Sequence, residues 1–226
     1  MICPIARAAS WAMAALAGVG MAVGAGPAMG AQGAARVVAL PADPQEAGLT
    51  CFYAAVVTGG GKIEAAAEAS WFLFDIARTR TEDSPDTFVE RLEEVAGLPP
   101  PNLESLAGDA TQLVPLCASR YPLISSRRAI ALPANPFARD MQCFALASYL
   151  AGMAESELED SGESPFGKRV ATLADMLAAR LTEERAKAAG IGDEAAMSTQ
   201  FSRSLRDVSP LGNTMKVLEA CEAPAG

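Results

Sequence analysis

The sequence contains no histidine, so it lacks the side chain that most often serves as a general base near neutral pH. Every catalytic triad with an imidazole base is therefore excluded, while serine–lysine and paired-carboxylate chemistry stay open without a supporting motif. Aromatic residues make up only 6% of the 226 residues, and no stretch shows convincing strand alternation with hairpin turns. Because alanine is abundant and favours helix over strand, the sequence predicts an all-α fold.

Residues 8–35 lack any charged side chain and follow a single positive residue, Arg7. The stretch is apolar until a Gly-Pro pair, after which Ala28 and Gly30 fit the small-x-small pattern of a cleavage site. We predict a signal peptide at 1–30, with cleavage one residue later as a second possibility and a retained anchor helix as the competing interpretation. Cleavage predicts a periplasmic or secreted protein of the Gram-negative type, with no stable membrane span left in the mature chain.

The sequence also lacks a Cys-x-x-Cys motif and any spacing that suits a zinc site. Of its five cysteines, Cys3 leaves with the signal, and Cys51, Cys117, Cys143 and Cys221 remain. An even number of cysteines in an exported chain indicates disulfides, and four cysteines allow three pairings. The sequence predicts no metal and no other cofactor.

Positive charge is scarce, and the formal net charge of −9 becomes −10 once Arg7 leaves with the signal. An acidic chain with few clustered bases is a poor ligand for a phosphate backbone, so the sequence predicts no nucleic-acid binding. The acidity favours solubility or a basic partner without naming one.

The strongest positive signal is an internal repeat. Residues 36–44 read RVVALPADP and residues 128–136 read RAIALPANP, and a Cys-Phe pair follows each segment at the same distance. The match extends without a gap over 25 positions, of which ten are identical. Farther on, the offset grows from 92 to 104 residues, which implies insertions in polar stretches of the second copy. We predict two tandem helical units of about 85–95 residues, at 31–122 and 123–226.

The repeat also selects a disulfide pairing. If each copy is a self-contained unit, Cys51 pairs with Cys117, and Cys143 pairs with Cys221. The crossed pairings would require the two units to interlock. We therefore predict that each unit is closed by one disulfide of its own.

Proline and glycine mark the first helix of each unit. After an extended start, Asp43-Pro44 and Asn135-Pro136 each supply an N-cap followed by proline at the first helical position. The first helix is predicted to end at the glycines 59–61 in the first unit and near Gly152 in the second.

The second helix is predicted at 62–80 in the first unit and at 166–182 in the second. The former is apolar nearly all round, which indicates a central, buried helix. A third helix after Ser84-Pro85, a stiff break at the prolines 99–101 and a last helix capped by Asn102 complete the first unit. The second unit is predicted to end in the same way.

Asp75 and Asp175 hold matching positions within two apolar helices. A buried carboxylate with a raised pKa can act as a general acid, which is the basis of a hypothesis that the protein is an enzyme with a cleft between the units. Arg78 lies three residues after Asp75, as in an ordinary helical ion pair, and we prefer this structural interpretation. The glycines before Lys62 lack the following Ser or Thr of a phosphate loop, so we interpret them as a helix end.

Two charged groups are candidates for contact with a partner. Arg127 and Arg128 lie between the units, as part of a linker or as a site for an anionic partner. An acidic run in the second unit is interpreted as a solvated loop, with a partner contact or a loose cation site as the alternative, because the calcium-loop pattern is absent. This run comprises Glu155, Glu157, Glu159, Asp160 and Glu163.

Without a catalytic signature, the sequence favours a non-enzymatic binding or accessory protein of the bacterial envelope, such as an immunity, inhibitor or adaptor protein with a protein partner. Small helical, disulfide-closed periplasmic proteins of Gram-negative bacteria, including acid-stress chaperones and immunity proteins, share this general plan. No motif carries the residues of any such family onto this chain. A carboxylate-dependent enzyme and an acid-stress chaperone are the alternatives, and the chaperone would need carboxylates that respond below about pH 5.

Overall fold

A computed structural model describes residues 38–223, apart from the side chains of Leu103, Glu104, Ser156, Asp160 and Ser161. The predicted signal peptide at 1–30 lies outside the described residues. Within 38–223 the chain is helical and contains no strand, which confirms the predicted all-α class.

The first repeat contains α1 (Pro44–Thr58), α2 (Ile63–Arg80), α3 (Phe88–Ala96) and α4 (Leu103–Arg120). The predicted caps set two of these helix starts. Asp43 accepts a hydrogen bond from the amide of Glu46 at 2.9 Å, and Asn102 accepts one from the amide of Ser105 at 3.1 Å. The third predicted helix begins with a 3₁₀ turn at Pro85–Thr87 that leads into α3.

The second repeat contains α5 (Pro136–Ser161), α6 (Pro165–Arg180), α7 (Glu183–Ala188), α8 (Glu194–Arg206), a 3₁₀ turn (Ser209–Leu211) and α9 (Thr214–Glu222). All five α-helices begin with a side-chain cap, in which an Asn, Ser, Thr or Asp oxygen accepts a hydrogen bond from an amide of the first turn. Helix α7 has no counterpart in the first repeat and forms part of the extra length of the second.

The prediction that the first helix of the second unit ends near Gly152 is wrong, because α5 continues for nine more residues. Met153 and Ala154 are both buried, and Ala154 packs against α6, where a Cβ atom at Gly167 would lie 3.0 Å from the Cβ of Ala154. The helix stops where Gly162 adopts a φ of 73°, which glycine tolerates best. The acidic run therefore lies mostly in the last turns of a helix, not in a loop.

Each repeat is closed by its own disulfide, as predicted. Cys51 bonds to Cys117 with a Cα–Cα distance of 5.6 Å, and Cys143 bonds to Cys221 with a distance of 5.5 Å. The bonds join α1 to α4 and α5 to α9 across 66 and 78 residues. In the chain-entropy description, a disulfide that closes a loop of this size stabilises the fold by about 4 kcal/mol.

Helix α2 is central and buried, which confirms its prediction. It packs against α1 and α3 of its own repeat and against α5, α8 and α9 of the second. The indole N–H of Trp71 donates to the carbonyl of Ser209 at 2.9 Å, and the hydroxyl of Thr214 donates to the carbonyl of Ala67. One continuous hydrophobic core therefore spans both repeats.

A second, smaller hydrophobic cluster packs α7 against the start of α5. Phe137 and Met141 of α5 bury against Ala186 of α7 and Ile191 beyond it. This contact fixes the position of α7, whose Arg185 then reaches α5.

Candidate functional site

A cavity of about 370 Å³ opens beside the Cys143–Cys221 disulfide in the second repeat. This volume lies at the small end of the range for ligand pockets. Its apolar wall combines the disulfide with side chains of the segment before α5 and of α6, including Ile130, Leu132 and Leu177. Its charged wall consists of Arg139, Asp140 and Arg180.

In the first repeat, side chains of the same chain cover the segment before α1, which is equivalent to the segment before α5. Helix α4 continues three residues past Cys117, to Arg120. The Arg120 guanidinium donates to the carbonyls of Pro41 and Ala42 at 2.6 and 3.2 Å. These two residues are the repeat equivalents of Pro133 and Ala134, which line the cavity.

Tyr121 completes this cover in the first repeat. Its hydroxyl donates to the carbonyl of Pro44 at 3.3 Å, and its ring packs edge-on against Trp71 and Phe72. Burial raises the pKa of Tyr121 above the ordinary tyrosine range. Helix α9 ends one residue after Cys221, so the described part of the second repeat contains no counterpart of Arg120 or Tyr121.

Asp140 is buried in the cavity wall with its charge balanced. Its Oδ2 atom lies 2.9 Å from Arg185, and its Oδ1 atom lies 3.9 Å from Arg180. The Arg185 guanidinium also stacks over the ring of Phe137, with 5.9 Å between its Cζ atom and the ring centroid. A carboxylate that is only 6% exposed requires such partners, because an unpaired buried charge is strongly destabilising.

Arg139 lies half-buried in the same wall, and among residues 38–223 its guanidinium forms no ion pair or hydrogen bond. It is the fourth residue of α5, close to the positive end of the helix dipole, where a cation does not stabilise the helix. The guanidinium groups of Arg180 and Arg185 thus flank the Asp140 carboxylate, and Arg139 adds a third positive charge to the same wall. The cavity is therefore locally positive in an acidic protein.

Sequence reasoning missed this site, although the repeat carried a signal for it. In the gap-free alignment, Arg139 and Asp140 replace Ala47 and Gly48 of the first repeat. Gly48 lets α1 approach α2 closely, since a Cβ atom there would lie 2.7 Å from the Cδ1 atom of Ile76. Both pairs lie in the first turns of equivalent helices, so the change from two small residues to two adjacent charges marks a difference in the surroundings of these helices.

The predicted partner-contact residues are not brought together. Arg127 and Arg128 are exposed in the segment that leads to α5, whereas the acidic run lies at the far end of that helix. At 1.5 Å per residue, the separation of 19 positions between Pro136 and Glu155 spans roughly 28 Å.

Within the acidic run, Glu155 and Glu159 are exposed, and Glu157 accepts a hydrogen bond from the hydroxyl of Ser164. Glu157 thus supports the cap of α6, because the same hydroxyl accepts from the amide of Gly167 at 2.9 Å. The side chain of Asp160 lies outside the described part of the structure.

The two matching aspartates have ordinary environments. Asp75 forms an ion pair with Arg78 at 3.0 Å, and Asp175 is exposed on α6. Neither lines the cavity, so the geometry gives no support to an enzyme that uses both carboxylates in one cleft. The glycines before Lys62 end α1, as expected from their sequence, and Gly60 and Gly61 have φ values of 71° and 70°.

Among residues 38–223, no group of three or more Cys, Asp or Glu side chains is arranged to hold a metal ion. The same residues include no helix with the length and apolar character needed to cross a membrane. No protein family, curated protein or solved structure is matched by this chain.

Proposed function

We propose that this protein is an exported, non-enzymatic binding protein of the bacterial envelope and that it holds its partner at the cavity of the second repeat. The divergence of the two repeats carries this proposal. In the first repeat, Arg120 and Tyr121 cover the segment that leads into α1. In the second repeat, the equivalent segment borders a cavity that contains an unpaired Arg139. Half-burying a guanidinium without a partner costs free energy, and a bound partner would offset that cost.

Export is supported by the two disulfides and by the uncharged, apolar stretch at 8–35 that follows Arg7. Disulfides persist in oxidising compartments, and among these we place the protein in the periplasm. With two cross-links and a continuous core, the chain is a rigid scaffold on which a binding site keeps its shape.

A matched pair of tryptophan substitutions tests the proposed function. Ala134 is exposed at the cavity rim, and Ala42 is exposed at the equivalent position of the first repeat. Ala134→Trp should obstruct the cavity, whereas Ala42→Trp adds the same ring to a segment that is already covered. Tagged wild-type protein and both variants would be cross-linked in envelope preparations, and bound proteins would be quantified by mass spectrometry.

We expect Ala134→Trp to remove at least one partner that wild type and Ala42→Trp both retain. Circular dichroism of each variant would establish that its helices are intact. Partner recovery that is equal for the two variants would contradict the binding of a protein partner at this cavity.

A further inference from the structure

We infer that the cavity of the second repeat binds a carboxylate that is attached to a small apolar group. This ligand is a free organic acid or the C-terminal residue of a peptide, which present the same chemistry to the cavity. The inference rests on the proposed function, because it names the ligand chemistry of the same site.

The anionic end of the ligand is assigned by the arginines. Arg139 has no partner among the described residues, so its guanidinium can accept a carboxylate without first breaking an ion pair. Arg180 also faces the cavity, and its side chain is 54% exposed and 3.9 Å from Asp140, beyond hydrogen-bond distance. A planar guanidinium matches the two oxygens of a carboxylate, which favours this anion over a neutral polar group.

Asp140 does not repel such a ligand, because its charge is already balanced. Arg185 approaches its Oδ2 atom at 2.9 Å and is fixed in turn by donating to the carbonyl of Arg180 at 2.6 Å. With Arg139 and Arg180 also present, positive charge exceeds negative charge at the cavity. Asp140 therefore acts as a positioning residue that orients the guanidinium groups of Arg180 and Arg185.

The apolar end of the ligand is assigned by the opposite wall. Ile130, Leu132 and Leu177 line it together with the Cys143–Cys221 disulfide. Such a surface gains free energy when it buries an alkyl or aryl group, and the volume of about 370 Å³ limits that group to a small one.

A guanidinium group such as that of Arg120, which covers the first repeat, does not suit the cavity of the second. In the first repeat the guanidinium of Arg120 donates to a backbone carbonyl. The first repeat has the uncharged Ala47 at the position that aligns with Arg139, so it has no cation there. In the second repeat a guanidinium would meet Arg139 and Arg180, which disfavour a like charge. The two repeats therefore differ in the sign of the charge that they accept.

Binding can be measured by ¹H–¹⁵N NMR titration of the mature chain with two pairs of probes. The first pair is 4-methylpentanoate and its amide, and the second is a short peptide with a C-terminal leucine, as the free acid and as the amide. We expect the acids to shift signals of cavity residues and the amides to shift few or none. Whichever acid binds more tightly, the free one or the peptide, identifies the source of the ligand.

Arginine variants test the assigned contact. Arg139→Ala should weaken binding of the acid roughly ten-fold or more, and Arg139→Lys should restore part of it because the charge is kept. Arg91→Ala serves as the matched control, since Arg91 is exposed on α3 and has the same charge. Its affinity for the acid should equal that of the wild type.

Equal binding of acids and amides, no binding of either acid, or equal effects of Arg139→Ala and Arg91→Ala would each overturn this inference. These outcomes are separable from a failure of the proposed function. If partner capture still depends on Ala134 while no acid binds, the site is a binding site for another chemistry. If neither result is obtained, both proposals fail.

Discussion

At the scale of single residues, Gly59 sets how closely the first two helices approach each other. A Cβ atom at this position would lie 2.2 Å from the Cβ of Ala65 and 3.2 Å from the carbonyl oxygen of Ala55. Because the Cβ of Ala65 is fixed to its backbone, a helix must move to relieve the contact. We expect Gly59→Ala to lower the free energy of unfolding by about 1–3 kcal/mol, measured by urea denaturation.

Gly108→Ala provides the control for this prediction. Gly108 lies within α4, and a Cβ atom there would meet nothing within 4 Å. The same substitution should therefore raise stability by about 0.5–1 kcal/mol, since alanine is the better helix former. If the two variants change stability in the same direction, the close approach at Gly59 is not the cause.

Tyr149 should make the fold sensitive to alkaline pH. Burial raises the pKa of its hydroxyl, so the folded state holds the proton more tightly than the unfolded state does. Stability is then complete below the ordinary tyrosine pKa of about 10 and falls as pH rises above it. Denaturation between about pH 9 and 11 should show a shallower loss for Tyr149→Phe than for wild type.

The ring of this variant can keep its contact with Phe74, whose centroid lies 4.9 Å away. Tyr121→Phe is the comparison, because the hydroxyl of Tyr121 forms an exposed hydrogen bond with the carbonyl of Pro44. Ultraviolet titration of the three tyrosines should assign the last ionisation to Tyr149. An early ionisation of Tyr149, within the ordinary range, would contradict this prediction.

At the scale of helices, two asparagine caps differ in what they join. Asn213 is buried, caps α9 and donates from its Nδ2 atom to Glu68 at 2.6 Å and to the carbonyl of Ile124 at 3.3 Å. Asn135 is exposed and caps α5 alone. Asn213→Ala should cost about 2–3 kcal/mol, because it removes a cap and also the two hydrogen bonds that join this side chain to Glu68 and Ile124, whereas Asn135→Ala should cost about 1 kcal/mol.

Thermal or urea denaturation of both variants measures this difference. The double variant provides a further check, because the two caps lie on different helices and share no hydrogen-bond partner among the described residues, so their effects should add. Equal losses for the two single variants would show that Asn213 acts only as a cap and does not tie the repeats together.

At the scale of the whole molecule, the shared core predicts that both repeats unfold together. A chain that begins at residue 31 retains one tryptophan, Trp71, which is 2% exposed and donates to Ser209 of the other repeat. Tryptophan fluorescence reports on this junction, and far-UV circular dichroism reports on the helices of both repeats. The two signals should follow one transition with the same midpoint. Separate midpoints would show that each repeat is stable alone.

Much of this fold is predictable from the sequence because its signals are local. Asn102 caps α4, and the glycines 59–61 end α1, since each acts within its own turn. The disulfide pairing followed from the repeat. Gly152 misled the prediction because a glycine can end a helix or lie buried within one. The burial of Met153 and Ala154, with Ala154 packed against α6, favours a continuous helix here.

The candidate site was less predictable, because its parts are distant in the sequence. The partner of Asp140 is Arg185, 45 residues away, and it arrives through α7, which the first repeat lacks. The cavity itself is lined by residues before α5, on α6 and around Cys221, which are far apart in the sequence. Charges on Arg127 and in the acidic run were easier to see in the sequence, but nothing in their spacing placed them around a cavity.

The unequal surroundings of α2 and α6 have a consequence for how this gene diverges among species. Helix α2 is enclosed by elements of both repeats, whereas its counterpart α6 packs mainly on α5 and has several positions open to solvent. A substitution in α2 must satisfy many neighbours, so purifying selection should hold it nearly constant. In orthologous chains we therefore expect α6 to evolve faster than α2, except at Leu177 and Arg180, which line the cavity.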